Sequence, residues 1–443
     1  MKPKLRREDF EIRNLGKATH ASPLAPSRGD TQADFVSDDR HRVLFDHSFD
    51  RVAAAMKGGK EPKTIERSGP RRKVFFDPKK SRAAIVGCGG LCPGINDVVR
   101  GLVMTLNFSY GVKTVFGIPY GFEGFIDTYG HRILELTPDL VSDIHTQGGS
   151  ILGTSRGPQP MGQIVDKLLV LGVNMLFVIG GDGTLRGASE IVKEITKRKL
   201  QIAVVCVPKT IDNDLEYMDK TFGFETASAE AVRVIRGAHN EAAGAPRGVG
   251  LVKVMGRDSG FIAAFASLAD NCANFVLIPE SPFRLEGPGG LFEHVEKRLA
   301  ERGHAVVVVA EGAGQDLMKT GKSGKDASGN DQLEDIGPFL KERIQRHFKR
   351  RKLEASVKYI DPSYVIRSVP AGAQDSVYCL RLAQHAVHAA MAGKTDMVVA
   401  RWHGHHVNLP IQVVTVRRRK VDLQGDLWMS VLEATGQPAR FGP

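Results

Sequence analysis

The feature that most restricts this chain is a series of short apolar runs, each ending in glycine or charged residues. Runs of this kind cover residues 83–87, 114–118, 175–179, 202–207, 250–255, 275–278 and 305–310, and helical patterns separate most of them. An apolar run without alternation suits a strand buried on both faces. Strands alternating with helices suit a parallel sheet, so the expected fold class is α/β with parallel-rich sheets. In such sheets ligands bind just beyond the carboxyl ends of the strands, which is where chemistry is to be sought.

Three of those ends are informative. Gly180-Gly181-Asp182-Gly183-Thr184 follows residues 175–179. Its glycines let the backbone approach phosphates closely, and its one carboxylate suits a metal. Pro208-Lys209-Thr210-Ile211-Asp212-Asn213-Asp214 follows 202–207. It offers two carboxylates and a hydroxyl on one tight loop, where a proton can be taken and charge held. Residues 83–87 break into Cys88-Gly89-Gly90-Leu91-Cys92-Pro93-Gly94-Ile95-Asn96, with a helix expected over 97–106. Strand, Gly-rich turn and helix together cradle phosphate, because a helix amino terminus presents free amides to an anion. Each loop also has a plainer reading. The first turn serves equally as a simple strand–helix connection, and loop Asp residues often only stabilise an Asx turn. Lys209 and Thr210 beside the two carboxylates, with the Gly loop upstream, favour a phosphoryl-transfer site. The run 180–184 also occurs in lipid kinases and NAD kinases, so alone it indicates only phosphate-donor binding. No complete Walker A pattern exists: Gly321-Lys322-Ser323 has its end, but Asp316 stands where the first Gly belongs.

The 443 residues suffice for two domains with cores, and the net charge of +11 favours anionic partners, metabolites as readily as nucleic acid. Five scattered cysteines indicate no disulfide framework and a reducing compartment; Cys88 and Cys92 read as packing residues. No apolar run approaches the length needed to span a bilayer, and no signal-peptide core follows the basic start. Residues 1–80 read as an extension of mixed polar composition, with one amphipathic helix expected over 41–56. Residues 315–332 read as a surface loop. Trp402-His403-Gly404-His405-His406 reads as a polar turn rather than a metal site, for want of a Cys or carboxylate at ligand spacing. The basic runs at 349–352 and 417–420 lack interleaved aromatics, so they read as solvated faces and no nucleic-acid partner is expected.

Several motifs in order resemble those of the 6-phosphofructokinase family: residues 89–96, 180–184, 210–214 and Met255-Gly256-Arg257-Asp258-Ser259-Gly260. The local wording is similar to the plant and kinetoplastid ATP-dependent branch, at Phe76-Asp77-Pro78-Lys79-Lys80, Thr221-Phe222-Gly223-Phe224, Lys358-Tyr359-Ile360-Asp361-Pro362-Ser363-Tyr364 and residues 386–393. The resemblance runs from about residue 74 to near the carboxyl terminus. It implies two Rossmann-like domains with the active site in the cleft between them, preceded by the extension 1–80. The nucleotide-binding domain would comprise 81–223 plus 366–410, and the fructose 6-phosphate domain 224–365 plus 411–443. The implied reaction is magnesium-dependent phosphoryl transfer from ATP to the 1-hydroxyl of fructose 6-phosphate, in a cytoplasmic, allosteric homo-oligomer, dimer or tetramer.

The resemblance also assigns roles. Asp212 matches the general base, Asp182 the magnesium ligand, and Asp214 lies close enough to assist. Thr210 and Arg257 match groups on the transferring phosphoryl, and Lys209 stands beside them. Gly89, Arg156, Gly181, Gly183, Thr184 and Gly187 fall on the nucleotide side with Asp182. Met255, Gly256 and Glu311 shape the sugar pocket. At the 6-phosphate, short bacterial members use Arg, His and Arg, where this chain offers Lys358, Tyr364 and Arg367. Arg247 stands one residue out of register with an Arg that those enzymes borrow from a neighbouring subunit. On the donor the signals divide. Gly183 favours ATP, because pyrophosphate users often carry Asp there; Lys209 points to pyrophosphate. Plant-like and kinetoplastid ATP enzymes combine Gly with Lys as here, so ATP is favoured, with Gly183 the steric determinant. A lipid or NAD kinase lacks the second loop and the sugar-phosphate residues, and a silent regulatory subunit does not need intact Asp182, Asp212 and Arg257.

Overall fold

A computed structural model describes residues 5–25, 36–318, 324 and 332–442. The chain divides into two compact units. The first holds the described residues up to Thr210, with 215–222 and 370–418; the second holds 211–214, 223–369 and the described residues from 419 onward.

Among its described residues the first unit carries a nine-stranded sheet. Its strands are β1 (Arg42–Leu44), β2 (Thr64–Arg67), β3 (Arg82–Gly87), β4 (Thr114–Ile118), β5 (Leu134–Glu135), β6 (Met175–Gly180) and β7 (Ala203–Pro208), with Met397–Trp402 and His405–Pro410 from the far end of the chain. The order is β1, β2, His405–Pro410, Met397–Trp402, β7, β6, β3, β4, β5. The middle five strands run parallel and the edges antiparallel. The β6 and β7 residues are all buried, as the unbroken apolar runs require.

Among its described residues the second unit has a four-stranded, wholly parallel sheet of β8 (Gly248–Val254), β9 (Phe275–Leu277), β10 (His304–Ala310) and β11 (Ser356–Ile360), in the order β9, β10, β8, β11. Leu251, Phe292, Val307 and Ile344 lie in its core. All seven expected strands are present, 114–118 with the expected bounds and the other six displaced by a residue or two at one or both ends. No helix among the described residues is long and apolar enough to cross a membrane.

The expectation of one helix over 41–56 is corrected. Residues 42–44 form strand β1, paired antiparallel to β2 with Val43 opposite Ile65, and the helix spans only Phe49–Lys57. Asp46 Oδ1 accepts the amide of Ser48 at 3.0 Å, so the chain turns before the helix begins. Sheet-edge pairing overrides the helical periodicity upstream of that turn. In the stretch 402–406 only His403 and Gly404 form the turn, between a strand that ends at Trp402 and one that starts at His405: both have positive φ, +48° and +80°, as a tight hairpin turn demands. Residues 315–317 form one short helical turn, while Gly321-Lys322-Ser323 and most of the expected loop lie outside the described residues.

Three histidines in the first unit are held neutral by burial. The His385 ring stacks on His406 at 4.2 Å, and His388 Nδ1 shares a 2.8 Å hydrogen bond with Tyr110 Oη. Burial lowers His388 and His406 to about 4 and His385 to about 2. The unfolded chain, with ordinary histidines, takes up these protons first. The stability they confer is present above about pH 6.5 and is lost as pH falls toward their folded values, at about 1.4 kcal/mol per pH unit for each group. Thermal unfolding should therefore move to lower temperature between pH 6.5 and 5. The decline should be shallower in His388→Gln; equal slopes would contradict the account.

Candidate active site

In the first unit, β3, β6 and β7 lie side by side, with Val86 opposite Val178 and Pro208 opposite Gly180. The chain leaves β3 toward β4 on one side and β6 toward β7 on the other. Between β3 and β6 the connections diverge, which opens a crevice at their carboxyl ends. The loops 88–94, 180–184 and 209–210 emerge there together. The amide of Cys88 donates to Ile179 O at 3.0 Å, and that of Lys209 to Gly180 O at 3.0 Å. The Lys209 side chain is buried and its Nζ donates to Gly90 O at 2.6 Å, so one ammonium joins the third loop to the first.

The glycines here have specific causes. Gly94 precedes the helix Ile95–Met104 with φ +96°, and a Cβ there would stand 2.5 Å from Cys379 Sγ. A Cβ on Gly180 would stand 2.3 Å from Thr184 Cβ, so only Gly lets Thr184 fold back under the strand end. Gly181 leads directly into the helix Asp182–Lys197, whose first turn carries amides without helical partners at the positive end of the helix dipole. Gly183 differs, since a Cβ there meets nothing within 4 Å. Gly187 packs on Phe122, leaving 2.9 Å for an added Cβ. Asp182 Oδ2 accepts Arg186 Nε at 3.2 Å, while its Oδ1 is buried without a hydrogen-bond partner. Ser155 O accepts the Gly89 amide at 3.0 Å, which places exposed Arg156 next to the first loop. Thr210 O accepts Thr221 Oγ1 at 2.6 Å.

In the second unit, adjacent β8 and β10 end on the pair Val254–Ala310, and Met255, Gly256, Arg257 and Glu311 follow at once. Glu311 N donates to Val254 O at 2.9 Å and Gly312 N to Gly256 O at 3.1 Å. Gly256 has φ +133°, and a Cβ there would lie 2.4 Å from Ser259 O, so the turn requires glycine. Ser259 Oγ donates to Asp212 O at 2.9 Å and Arg419 N to Asp214 O at 2.8 Å. The acidic loop is thus held through its backbone. Asp214 is buried, Asp212 half-buried. Burial raises the Glu311 carboxyl above its usual range, against the pull of Arg257, Lys253 and Arg367. The Arg367 guanidinium lies 4.9 Å from the centre of the exposed Tyr364 ring, and its buried Nε has no hydrogen-bond partner. Lys358 is exposed on β11, opposite Gly250. Arg247, with φ +47°, lies at the amino end of β8, the far end from Arg257.

Two elements escaped the sequence reading. Lys253 Nζ bridges Asp335 at 2.9 Å and Asp361 at 2.8 Å. Burial pulls its pKa down, but the hydrogen bonds to Asp361 and Asp335 outweigh burial and hold it above the usual lysine value. A lysine inside an otherwise apolar strand was the available signal. Glu280 accepts the Gly260 amide at 3.1 Å and the Val421 amide at 2.8 Å, clamping the end of the Arg257 turn. Nothing in its local sequence marks it.

The phosphofructokinase family model matches residues 82–390. The ATP-dependent 6-phosphofructokinase of Amycolatopsis methanolica is 49% identical, covering 98% of this chain and 96% of its own. The chain belongs to the phosphofructokinase family. ATP-dependent 6-phosphofructokinase 7 of Arabidopsis thaliana is 48% identical over 90% of this chain and 82% of its own length. The ATP-dependent enzyme of Trypanosoma cruzi is 42% identical over 97% and 88%. The resemblance to plant and kinetoplastid members is therefore borne out. A pyrophosphate-dependent phosphofructokinase from Marinobacter aquaeolei superposes with a TM-score of 0.65 at 20% identity, over 82% of this chain and 93% of its own. That likeness establishes the shared phosphofructokinase fold.

Proposed function

We propose that this chain transfers the γ-phosphoryl group of ATP to the 1-hydroxyl of fructose 6-phosphate, giving fructose 1,6-bisphosphate and ADP. The observation that carries the reading is near full-length similarity to ATP-dependent 6-phosphofructokinases of a bacterium, a plant and a trypanosome. The strand-end loops supply suitable groups. Phosphoryl transfer depends on positioning and charge stabilisation. In this reading Asp212 accepts the proton of the sugar hydroxyl, with Asp214 assisting. Arg257, Thr210 and Lys209 stabilise charge on the phosphoryl in flight. Gly89, Arg156, Gly181, Gly183, Thr184 and Gly187 take the nucleotide. Met255, Gly256 and Glu311 hold the sugar, and Lys358, Tyr364 and Arg367 its 6-phosphate.

Magnesium fits Asp182, whose buried Oδ1 lacks a hydrogen-bond partner beside a helix amino end. No cluster of three or more ligating side chains occurs among the described residues. That suits magnesium, an ion usually held by one or two carboxylates plus substrate phosphates and water. When bound, it would neutralise charge on the donor phosphates. We place the enzyme in the cytoplasm, as a homo-oligomer under effector control. The five free thiols suit such a reducing compartment, and the family resemblance implies the assembly.

A coupled assay supplying ATP and pyrophosphate separately tests the reading. Turnover with ATP alone is expected. Turnover with pyrophosphate alone would overturn the donor assignment, and none with either would overturn the reaction. For the 6-phosphate group, Arg367→Ala removes a charge-assisted contact of about 1.5–3 kcal/mol. The variant should bind fructose 6-phosphate more weakly, while fructose changes little. Equal weakening of both sugars would remove Arg367 from that role.

A further inference from the structure

We propose that the first unit carries a second anion site, built by the amino-terminal segment, for a small molecule bearing two or more phosphate groups. The site is a pocket of about 1010 Å³. It is lined mainly from the stretches around residues 14–18, 36–41 and 67–73, with Ala392 and Lys394. None of the residues assigned to the reaction lines it.

The charges of this pocket divide into two sets. Lys394 Nζ pairs with Asp39 at 3.0 Å and with buried Glu66 at 3.1 Å. Arg71 pairs with the same two carboxylates, at 3.4 and 3.0 Å, and Arg40 pairs with Asp38 at 2.9 Å. This set is balanced, with three cations set against three carboxylates. The second set is not balanced. The side chains of Lys17, Arg67, Arg72 and Lys73 line the same pocket and make no ion pair or hydrogen bond among the described residues. Arg67 is half-buried, so its unpaired charge sits partly out of water.

Unpaired like charges around one concavity repel each other and focus a positive field into it, which a bound anion relieves. Their number and the size of the pocket exceed what a single phosphate engages. The lining is dominated by Lys and Arg side chains, so recognition rests on phosphate charge. The chemistry selected is therefore multivalent phosphate.

The test uses the full chain with saturating fructose 6-phosphate and a non-hydrolysable ATP analogue in excess magnesium, so that the reaction site is filled. Inorganic tripolyphosphate is titrated calorimetrically at physiological ionic strength, with inorganic phosphate as the comparison. Tripolyphosphate should bind at one further site and raise the unfolding temperature by linkage. Inorganic phosphate should bind at least ~10-fold more weakly. Arg72→Gln/Lys73→Gln should weaken tripolyphosphate binding at least ~10-fold. Both residues are exposed, so that variant should keep its fold and its turnover without the probe. Lys17→Gln provides an independent second variant with the same expected direction. Absence of binding to the wild-type chain, or unchanged affinity in both variants, would overturn the proposal. The readout is binding, so it is separate from the assignment of roles in the reaction.

Discussion

Asp212→Ala should lose at least ~10²-fold in kcat while its affinity for fructose 6-phosphate stays close to that of the wild type. The expectation rests on the role proposed for this carboxylate as general base, a contribution typically of that size. The local structure makes the variant informative. The Asp212 backbone carbonyl, not its carboxylate, accepts Ser259 Oγ at 2.9 Å, and the next anchor is Asp214 O. Truncating the side chain therefore leaves these two anchors of the loop in place. A kcat loss without a matching rise in KM is the signature of a group acting on the reacting proton. Steady-state kinetics with direct sugar-phosphate binding separates the two; near-normal turnover would end the assignment.

Gly183→Asp should raise the KM for ATP by ~10²-fold or more and leave fructose 6-phosphate binding nearly unchanged. A new carboxylate about 4 Å from a phosphate charge costs on the order of 4 kcal/mol at the effective dielectric of a protein surface. Its volume would oppose the nucleotide as well. Space in the protein itself is not the issue, because an added Cβ at Gly183 meets nothing within 4 Å. Neighbouring glycines do not share that property; at Gly180 the same atom would stand 2.3 Å from Thr184. A loss confined to ATP would place Gly183 in the nucleotide path, whereas unchanged ATP kinetics would exclude it. Calorimetric titration of both substrates into the variant distinguishes these results.

The two carboxylates of the 208–214 loop, the Gly180–Thr184 turn and the Gly89–Asn96 turn were legible because strand-end chemistry is local. An apolar run buried on both faces has few alternatives to a central parallel strand, and ligands of such sheets bind beyond the carboxyl ends of the strands. Such information is written within a dozen neighbouring residues. Edge strands do not share this clarity. Residues 42–44 carry a pattern that also suits a helix, and only pairing with Thr64–Arg67 makes them a strand. The choice depends on a partner more than twenty residues away.

By itself, then, the sequence determined the α/β class, the central strands and the family, and it singled out the strand-end loops to which the proposed chemistry is assigned. The tertiary structure alone decided that β3 and β6 are neighbours whose connections diverge. It also decided that Lys209 reaches across to Gly90, that Glu280 clamps the Gly260 amide, and that Lys253 bridges Asp335 and Asp361. The same is true of the unbalanced cations of the amino-terminal pocket, drawn from segments far apart in the chain. The physical reason is common to all of them. Periodicity and turn chemistry act between near neighbours, while charge pairing and desolvation depend on what the folded chain brings within a few ångströms.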